Sequence, residues 1–181
     1  MNQTSEAIWA EARVALGQGN LLHAQALFER LLEQAHQQRD TFLERMVLHE
    51  LGKVARYIGN YRQARLRLAQ EMAILQEGTL QRKTIGWVSA NIYEQGIICL
   101  LEEDLDGAES LFKHALFYAN QGDHALSRAF ALSGIGEVAL RRKDFTRAQI
   151  NLKESAKQFE LAEDLLNANA VRERLARIAT A

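Results

Sequence analysis

The chain has 181 residues, of which 48% are hydrophobic and 25% are charged, a balance that excludes an intrinsically disordered protein. Its formal net charge of −1 excludes a strong overall field that would attract nucleic acid or an anionic membrane. The chain contains no proline, so we expect nearly continuous helix interrupted by glycine and asparagine turns.

Three further features of the sequence indicate a cellular compartment. A single cysteine, Cys99, cannot form an internal disulfide and suits a reducing environment. Residues 1–20 lack the basic start and apolar run of a signal peptide. The longest apolar stretch, residues 96–101, is far shorter than the roughly 20 residues needed to cross a bilayer. We therefore expect a cytoplasmic protein with no membrane association.

Helical periodicity predicts nine helices in chain order. The first spans about residues 5–16, and the second begins at Leu21 and carries an apolar stripe at helical spacing. Thr41 and Glu44 have the spacing of a capping box, so Thr41 is expected to cap the third helix. The fourth is expected at about residues 61–76, with a break at residues 78–79. The remaining five helices are expected at about residues 80–101, 105–120, 124–142, 145–162 and 165–179.

One segment, residues 51–64, recurs along the chain. It contains a helix that ends at Gly59, a turn at Asn60 and, in the next helix, the small residue Ala64. Alanines in the same setting are Ala24, Ala64, Ala108 and Ala148, with spacings of 40, 44 and 40 residues. The chain is therefore predicted to form one domain over residues 1–181, with four repeats at about residues 5–38, 41–78, 80–121 and 124–162.

Three further positions keep a fixed distance from these alanines. Four residues earlier stands a residue that can cap the second helix of each pair, namely Asn20, Asn60, Asp104 and Asp144. Four residues later stands a large apolar residue, namely Phe28, Leu68, Phe112 and Leu152. Twelve residues earlier stands a small residue, namely Ala12, Gly52, Gly96 and Gly136. This pattern predicts pairs of antiparallel helices whose small residues allow close packing.

The pattern resembles the tetratricopeptide repeat (TPR), a helical hairpin of about 34 residues. Repeats lengthened to 40–44 residues are similar to those of kinesin light chains and of bacterial regulators with peptide-binding helical domains. The resemblance implies an all-α fold, a right-handed TPR-like solenoid of four helical hairpins followed by a capping helix at residues 165–179. The proline that usually ends the second helix of such repeats is missing from all four copies.

The last predicted helix, residues 165–179, has two interpretations. Ala168, Val171, Leu175 and Ile178 share one face, which could cover the apolar flank of the fourth repeat as a cap. Alternatively, the helix could join two copies of the chain in a homodimer.

No group of side chains has the spacing of a catalytic or metal site. No two of the five histidines stand four residues apart with the carboxylate that a helical zinc site requires. Gly17 and Gly19 follow a helix rather than a strand, and no phosphate-binding lysine follows them at the required distance. We therefore expect no catalytic residue, no metal and no cofactor.

The resemblance also implies a binding surface. In TPR-like proteins the first helix of each pair lines the concave face, and counting from the repeat alanines places eleven side chains there. The first two repeats offer aromatic and cationic groups, which suit an interaction hot spot and an acidic segment or free carboxylate. The candidates are Trp9, Arg13, His49, Lys53, Arg56, Tyr57, Tyr93, Ile97, Ser133, Glu137 and Arg141.

The leading interpretation is a non-catalytic, regulatory scaffold that binds a protein or peptide segment in this concave groove. Two alternatives stay open, a homodimer assembled through the repeats or the last helix, and a sensor of a small ligand. Residues 41–70 hold six lysines and arginines against two acidic residues, an excess of four positive charges. Nucleic-acid binding is nevertheless not favoured, because helix–turn–helix and zinc-finger motifs are missing.

Overall fold

The computed structural model describes residues 3–77 and 82–179, and within these ranges the chain forms nine α-helices. The predicted break at residues 78–79 and the predicted start of the fifth helix at residue 80 lie outside the described residues. The helices are α1 (Gln3–Gly17), α2 (Leu21–Gln38), α3 (Thr41–Ile58), α4 (Tyr61–Glu77), α5 (Arg82–Leu101), α6 (Leu105–Gly122), α7 (Ala125–Arg141), α8 (Phe145–Leu161) and α9 (Leu165–Ala179).

The chain divides into two compact units, residues 1–79 and residues 80–181. In unit 1 the helices α1 to α4 pack in succession as two antiparallel hairpins. In unit 2 the hairpins α5/α6 and α7/α8 pack in the same way, α5 also contacts α7, and α9 packs on α8. The predicted fold class, an all-α helical repeat protein of the TPR-like type, is confirmed. The prediction of one domain over residues 1–181 stays a prediction.

Side-chain caps begin the second helix of every hairpin, as the sequence predicts. The side chains of Asn20, Asn60, Asp104 and Asp144 each accept a hydrogen bond from the backbone N–H three residues later, over 2.9–3.4 Å. Two more caps do the same at Asp40, before α3, and at Asp164, before α9. These bonds satisfy backbone donors that the helices leave free at their starts.

The predicted capping box at the start of α3 is wrong. Asp40 is the N-cap, and its carboxylate accepts from the backbone N–H of Leu43 over 2.9 Å. Thr41 is therefore already the first helical residue, and Glu44 pairs with Nε2 of His36 at 3.1 Å instead of returning to the helix start. Aspartate caps at least as well as threonine, so the helix begins one residue earlier than the capping-box spacing indicates.

The hairpins are held together by a small residue facing a large one. A Cβ built on Gly52 would lie 3.0 Å from Leu68, and one built on Gly136 would lie 2.8 Å from Leu152. At Gly96 a Cβ would lie 2.7 Å from the ring of Phe112, closer than atoms can approach. In the first hairpin Ala12 takes the small position, and it and its large counterpart are fully buried. The sequence positions predicted to allow close packing therefore do so.

Helix α9 covers unit 2 with one face only. Ala168 and Val171 are buried within the same apolar cluster as Phe159 of α8. On the other side Asn169, Glu173 and Ala176 are exposed. An apolar face toward α8 and a mainly polar face toward solvent are what a capping helix requires.

An ionic cluster joins α6 to the turn between α7 and α8. Glu109 lies 2.6 Å from Nζ of Lys113 and also accepts hydrogen bonds from Arg142 and Arg147. The bonds from Lys113 and then Arg147, with a smaller contribution from Arg142, lower the pKa of Glu109 to about 2, although burial alone would raise it. Arg142 bonds Asp106 as well, at the fully exposed start of α6.

Gly96→Ala should reduce the free energy of unfolding of unit 2 by about 1–3 kcal/mol, because the new methyl group displaces the Phe112 ring. In a Trp9→Phe background Trp87 is the only tryptophan, so its fluorescence during urea unfolding reports unit 2. Lys153→Ala, an exposed change on α8 of the same unit, is the control and should leave this free energy nearly unchanged. If Gly96→Ala costs the same in a Phe112→Leu background, the clash with the ring is not the cause.

Glu109→Gln should reduce the free energy of unfolding of unit 2 by about 1–3 kcal/mol at pH 7, because it removes charge-assisted hydrogen bonds. Urea unfolding followed by Trp87 in the Trp9→Phe background measures this loss. The pKa of Glu109 is lower in the folded chain than its ordinary value of 4.5. Its stabilisation is therefore complete above about pH 5 and is lost as the pH falls toward about 2. The difference in unfolding free energy between wild type and variant should therefore become smaller as the pH is lowered. Glu173→Gln, an exposed change on α9, should leave stability unchanged at every pH.

Candidate binding site

The predicted aromatic residue of the first repeat packs inward. Trp9 is half-buried against the core of unit 1, and its ring meets the ring of Phe28 edge-on, with centroids 5.5 Å apart. This contact joins the two helices of the first hairpin. Trp9 therefore has a packing role in the core of unit 1.

The predicted cations of unit 1 are partly neutralised. The buried carboxylate of Glu50 lies 3.3 Å from Arg13 on the neighbouring α1 and 3.0 Å from Lys53 on its own helix. The guanidinium of Arg56 stacks over the half-exposed ring of Tyr57, 4.2 Å from its centroid. Among the predicted residues of unit 1, Arg56 and Tyr57 are thus the pair that offers both a cation and an aromatic surface.

A buried ionic group between α3 and α4 was not predicted as a unit. His49 lies 2.9 Å from the fully buried Glu71, and Arg45 lies 3.8 Å from the same carboxylate. Burial lowers the pKa of Arg45, and the charge of Glu71 opposes this. The other repeats hold Leu31, Ala115 and Ser155 where the second holds Glu71. That substitution of a charge for a core residue is the signal in the sequence that reveals the cluster.

Unit 2 contains an open cleft of about 340 Å³. Its walls come mainly from the first helices α5 and α7 and from α9. The cleft brings together four of the five residues predicted for this unit, Tyr93, Ile97, Ser133 and Glu137. Sequence reasoning missed the contributions of Leu100, Leu101, Phe130, Gly134, Phe159, Asn167, Ala170, Val171 and Arg174.

Three aromatic rings form the apolar part of the cleft. The rings of Tyr93 and Phe130 lie with centroids 5.5 Å apart, and Phe130 meets Phe159 edge-on at 4.9 Å. Ring pairs at these distances attract one another beyond the effect of burial alone. The three rings thus contact one another across α5, α7 and α8, and the aliphatic side chains of α5 and α9 complete the apolar lining.

The rim of the cleft is charged. The carboxylate of Glu137 accepts from Arg174 of α9 over 3.0 Å and from Arg141, four residues along its own helix, over 3.4 Å. Both guanidiniums are 47% exposed, whereas Glu137 is 24% exposed. Arg141, the fifth predicted residue, does not line the cleft but binds the carboxylate of Glu137, which does. The two guanidiniums and the one carboxylate of this group together carry a net positive charge.

Neither a metal site nor a spanning helix is found in the part of the chain that the structure describes. Within residues 3–77 and 82–179, no three side chains of histidine, cysteine, aspartate or glutamate are grouped to hold an ion. No helix of these ranges is long and apolar enough to cross a bilayer.

Solved structures resemble this arrangement. BtubC (BKLC) from P. vanneervenii is 18% identical with a TM-score of 0.68, over 97% of this chain and 79% of that chain. RapI in its apo form is 11% identical with a TM-score of 0.68, over 96% of this chain and 50% of that chain. The nearly identical kinesin light chain TPR-like repeats from Podospora anserina are 16% identical with a TM-score of 0.63, over 98% and 96%.

The fold is TPR-like. At these identities the similarity establishes the fold and leaves the activity to be argued from the site. The chain spans half the length of RapI. Neither a protein-family model nor a curated protein sequence matches the chain.

Glu71→Leu should reduce the free energy of unfolding of unit 1 by about 3–5 kcal/mol, because Arg45 then stays buried without its carboxylate. The triple variant Arg45→Met, His49→Tyr, Glu71→Leu should recover most of this loss, since it replaces the whole buried cluster with apolar groups. Urea unfolding followed by Trp9 in a Trp87→Phe background measures both. A triple variant no more stable than the single one would contradict this and would show that the ionic cluster stabilises unit 1 relative to its apolar replacement.

Proposed function

We propose that this protein is a non-catalytic, regulatory scaffold of the cytoplasm that binds a protein or peptide segment through its first helices. The observation that carries the proposal is the unit 2 cleft, because side chains of α5, α7 and α9 converge on it. Concave sites with an apolar floor and a few polar groups at the edge are typical of binding sites.

Protein binding is a role to which the comparisons point at the level of fold. Helical repeats such as those of the similar kinesin light chain protein stack into extended surfaces that suit chain segments. The net positive group of Arg174, Arg141 and Glu137 beside the cleft and the Arg56–Tyr57 pair of unit 1 both favour a partner segment that carries acidic residues.

Site-specific photo-crosslinking tests the proposal directly. A photoreactive residue would replace Ser133 in the cleft, Tyr57 in unit 1 or, as a control, the exposed Lys153 of α8. In a lysate of the source organism, position 133 should give a discrete adduct with another protein, and position 153 should not. Adducts of equal yield at position 153, or adducts with no protein other than the chain itself, would contradict the proposal.

Charge reversal at the cleft should then weaken the binding of the purified partner. Arg174→Glu should raise its Kd about tenfold or more, because it removes a cation of the rim and adds a like charge. Lys153→Glu, the same change away from the cleft, should alter the Kd less than twofold. Isothermal titration gives both values, and light scattering of the chain alone detects the competing homodimer. An unchanged Kd for Arg174→Glu would place the interface elsewhere.

A further inference from the structure

The cleft lies where the repeats lose a ring. Fifteen residues before the repeat alanines stand three ring side chains, Trp9, His49 and Tyr93, and then Ser133. The ring of Tyr93 packs with centroid distances of 5.5 Å to Phe112 of its own hairpin and 5.5 Å to Phe130 of the next first helix. Ser133 supplies no such ring in the last hairpin.

The facing position on α9 is small as well. Phe130 of α7 corresponds to Ala170 of α9, because the first helices α5, α7 and α9 repeat at 40 residues. The pair Ser133 and Ala170 therefore stands where the preceding repeat has Tyr93 and Phe130. Both small residues line the cleft. The cleft of about 340 Å³ thus lies where two small residues replace an aromatic pair of the preceding repeat.

The charge beside this space favours one kind of ligand. Arg174 lines the cleft, and its guanidinium and that of Arg141 share the single carboxylate of Glu137. A carboxylate on the incoming segment would balance the second cation, and a guanidinium can bind two acceptors at once. A ligand with a positive charge at this place would instead be repelled by Arg174.

We infer that the cleft is a socket for one aromatic side chain of the partner, and that a carboxylate of the same partner segment lies beside this side chain. This inference rests on the proposed function. The incoming ring takes the place that Ser133 leaves vacant and packs against Tyr93 and Phe130. The neighbouring carboxylate binds Arg174. The partner thereby completes in trans the ring contact that α5 and α7 make within the chain.

Small probes test the socket without knowledge of the partner. N-acetyl-tyrosine carries the ring and the carboxylate, N-acetyl-tyrosinamide lacks the charge, and N-acetyl-leucine lacks the ring. Methyl NMR spectra of the full chain should show saturable shifts at Ala170 and Ile97, which line the cleft. N-acetyl-leucine should bind about two- to tenfold more weakly than N-acetyl-tyrosine, the factor that an aromatic contact contributes. Equal affinity of the two, or no saturable shift, would overturn the socket.

The carboxylate has its own test. N-acetyl-tyrosine should bind more tightly than N-acetyl-tyrosinamide by about threefold or more, and Arg174→Gln should abolish this difference while it leaves the amide's affinity unchanged. If the acid and the amide bind wild type equally, the proposed role of Arg174 is wrong.

Filling the socket from within the chain is the decisive variant. Ser133→Tyr restores the ring of the preceding repeat, so it should abolish the N-acetyl-tyrosine shifts and leave the urea midpoint of unit 2 unchanged or raised. Ser133→Ala is the matched control and should still bind. Ala170→Phe fills the same space from α9 and serves if Ser133→Tyr impairs folding. Undiminished binding by either folded, filled variant would overturn the proposal.

The socket and the scaffold fail differently. If the probes do not bind but crosslinks at position 133 still capture a partner, the scaffold stands and the socket falls. If the probes bind and Ser133→Tyr blocks them, yet no protein is crosslinked at position 133, the cleft takes small aromatic acids and the scaffold falls.

Discussion

Each hairpin of this protein depends on one steric constraint, a small residue twelve positions before the repeat alanine against a large residue four positions after it. Gly52, Gly96 and Gly136 leave no room for a Cβ without displacing Leu68, Phe112 or Leu152. Close approach brings the two helices into contact and buries the large side chain, which removes its apolar surface from water. Packing at this crossing also fixes which side chains of each first helix remain at the surface.

Phe112 shows how the constraint leads to the cleft. Its ring lies against Gly96 of its own hairpin and also against Gly134 of α7, where a built Cβ would be 2.6 Å away. Gly134 and its neighbour Ser133 both line the cleft. A ring that requires a glycine on the next helix therefore stands beside the stretch of α7 that leaves space open. The packing of unit 2 and its candidate binding site thus share the same residues.

The sequence predicts what depends on local spacing and misses what depends on contacts between helices. The caps and the small-against-large pairs follow from residue type at fixed distances, and four cleft residues follow from the repeat register. The ion pairs of Glu50 and Glu137 could not be predicted, because each involves a cation from another first helix. The contribution of α9 to the cleft also depends on tertiary packing. Left-handed residues such as Arg39 and Asp123 end helices without the glycine that usually marks such ends.

The outward face of α9 has a consequence for how arrays of this kind could be lengthened. Where α7 presents Ala129 and Gly136 to its hairpin partner, α9 presents Asn169 and Ala176, and with them Glu173, to solvent. A tenth helix laid against it would have to strip water from an amide and a carboxylate, an uphill exchange unless it brought partners for them. Asn169 and Glu173 thus disfavour the packing of a further helix on this face of α9. An engineer who wished to extend the array would edit those two positions before adding any new helix.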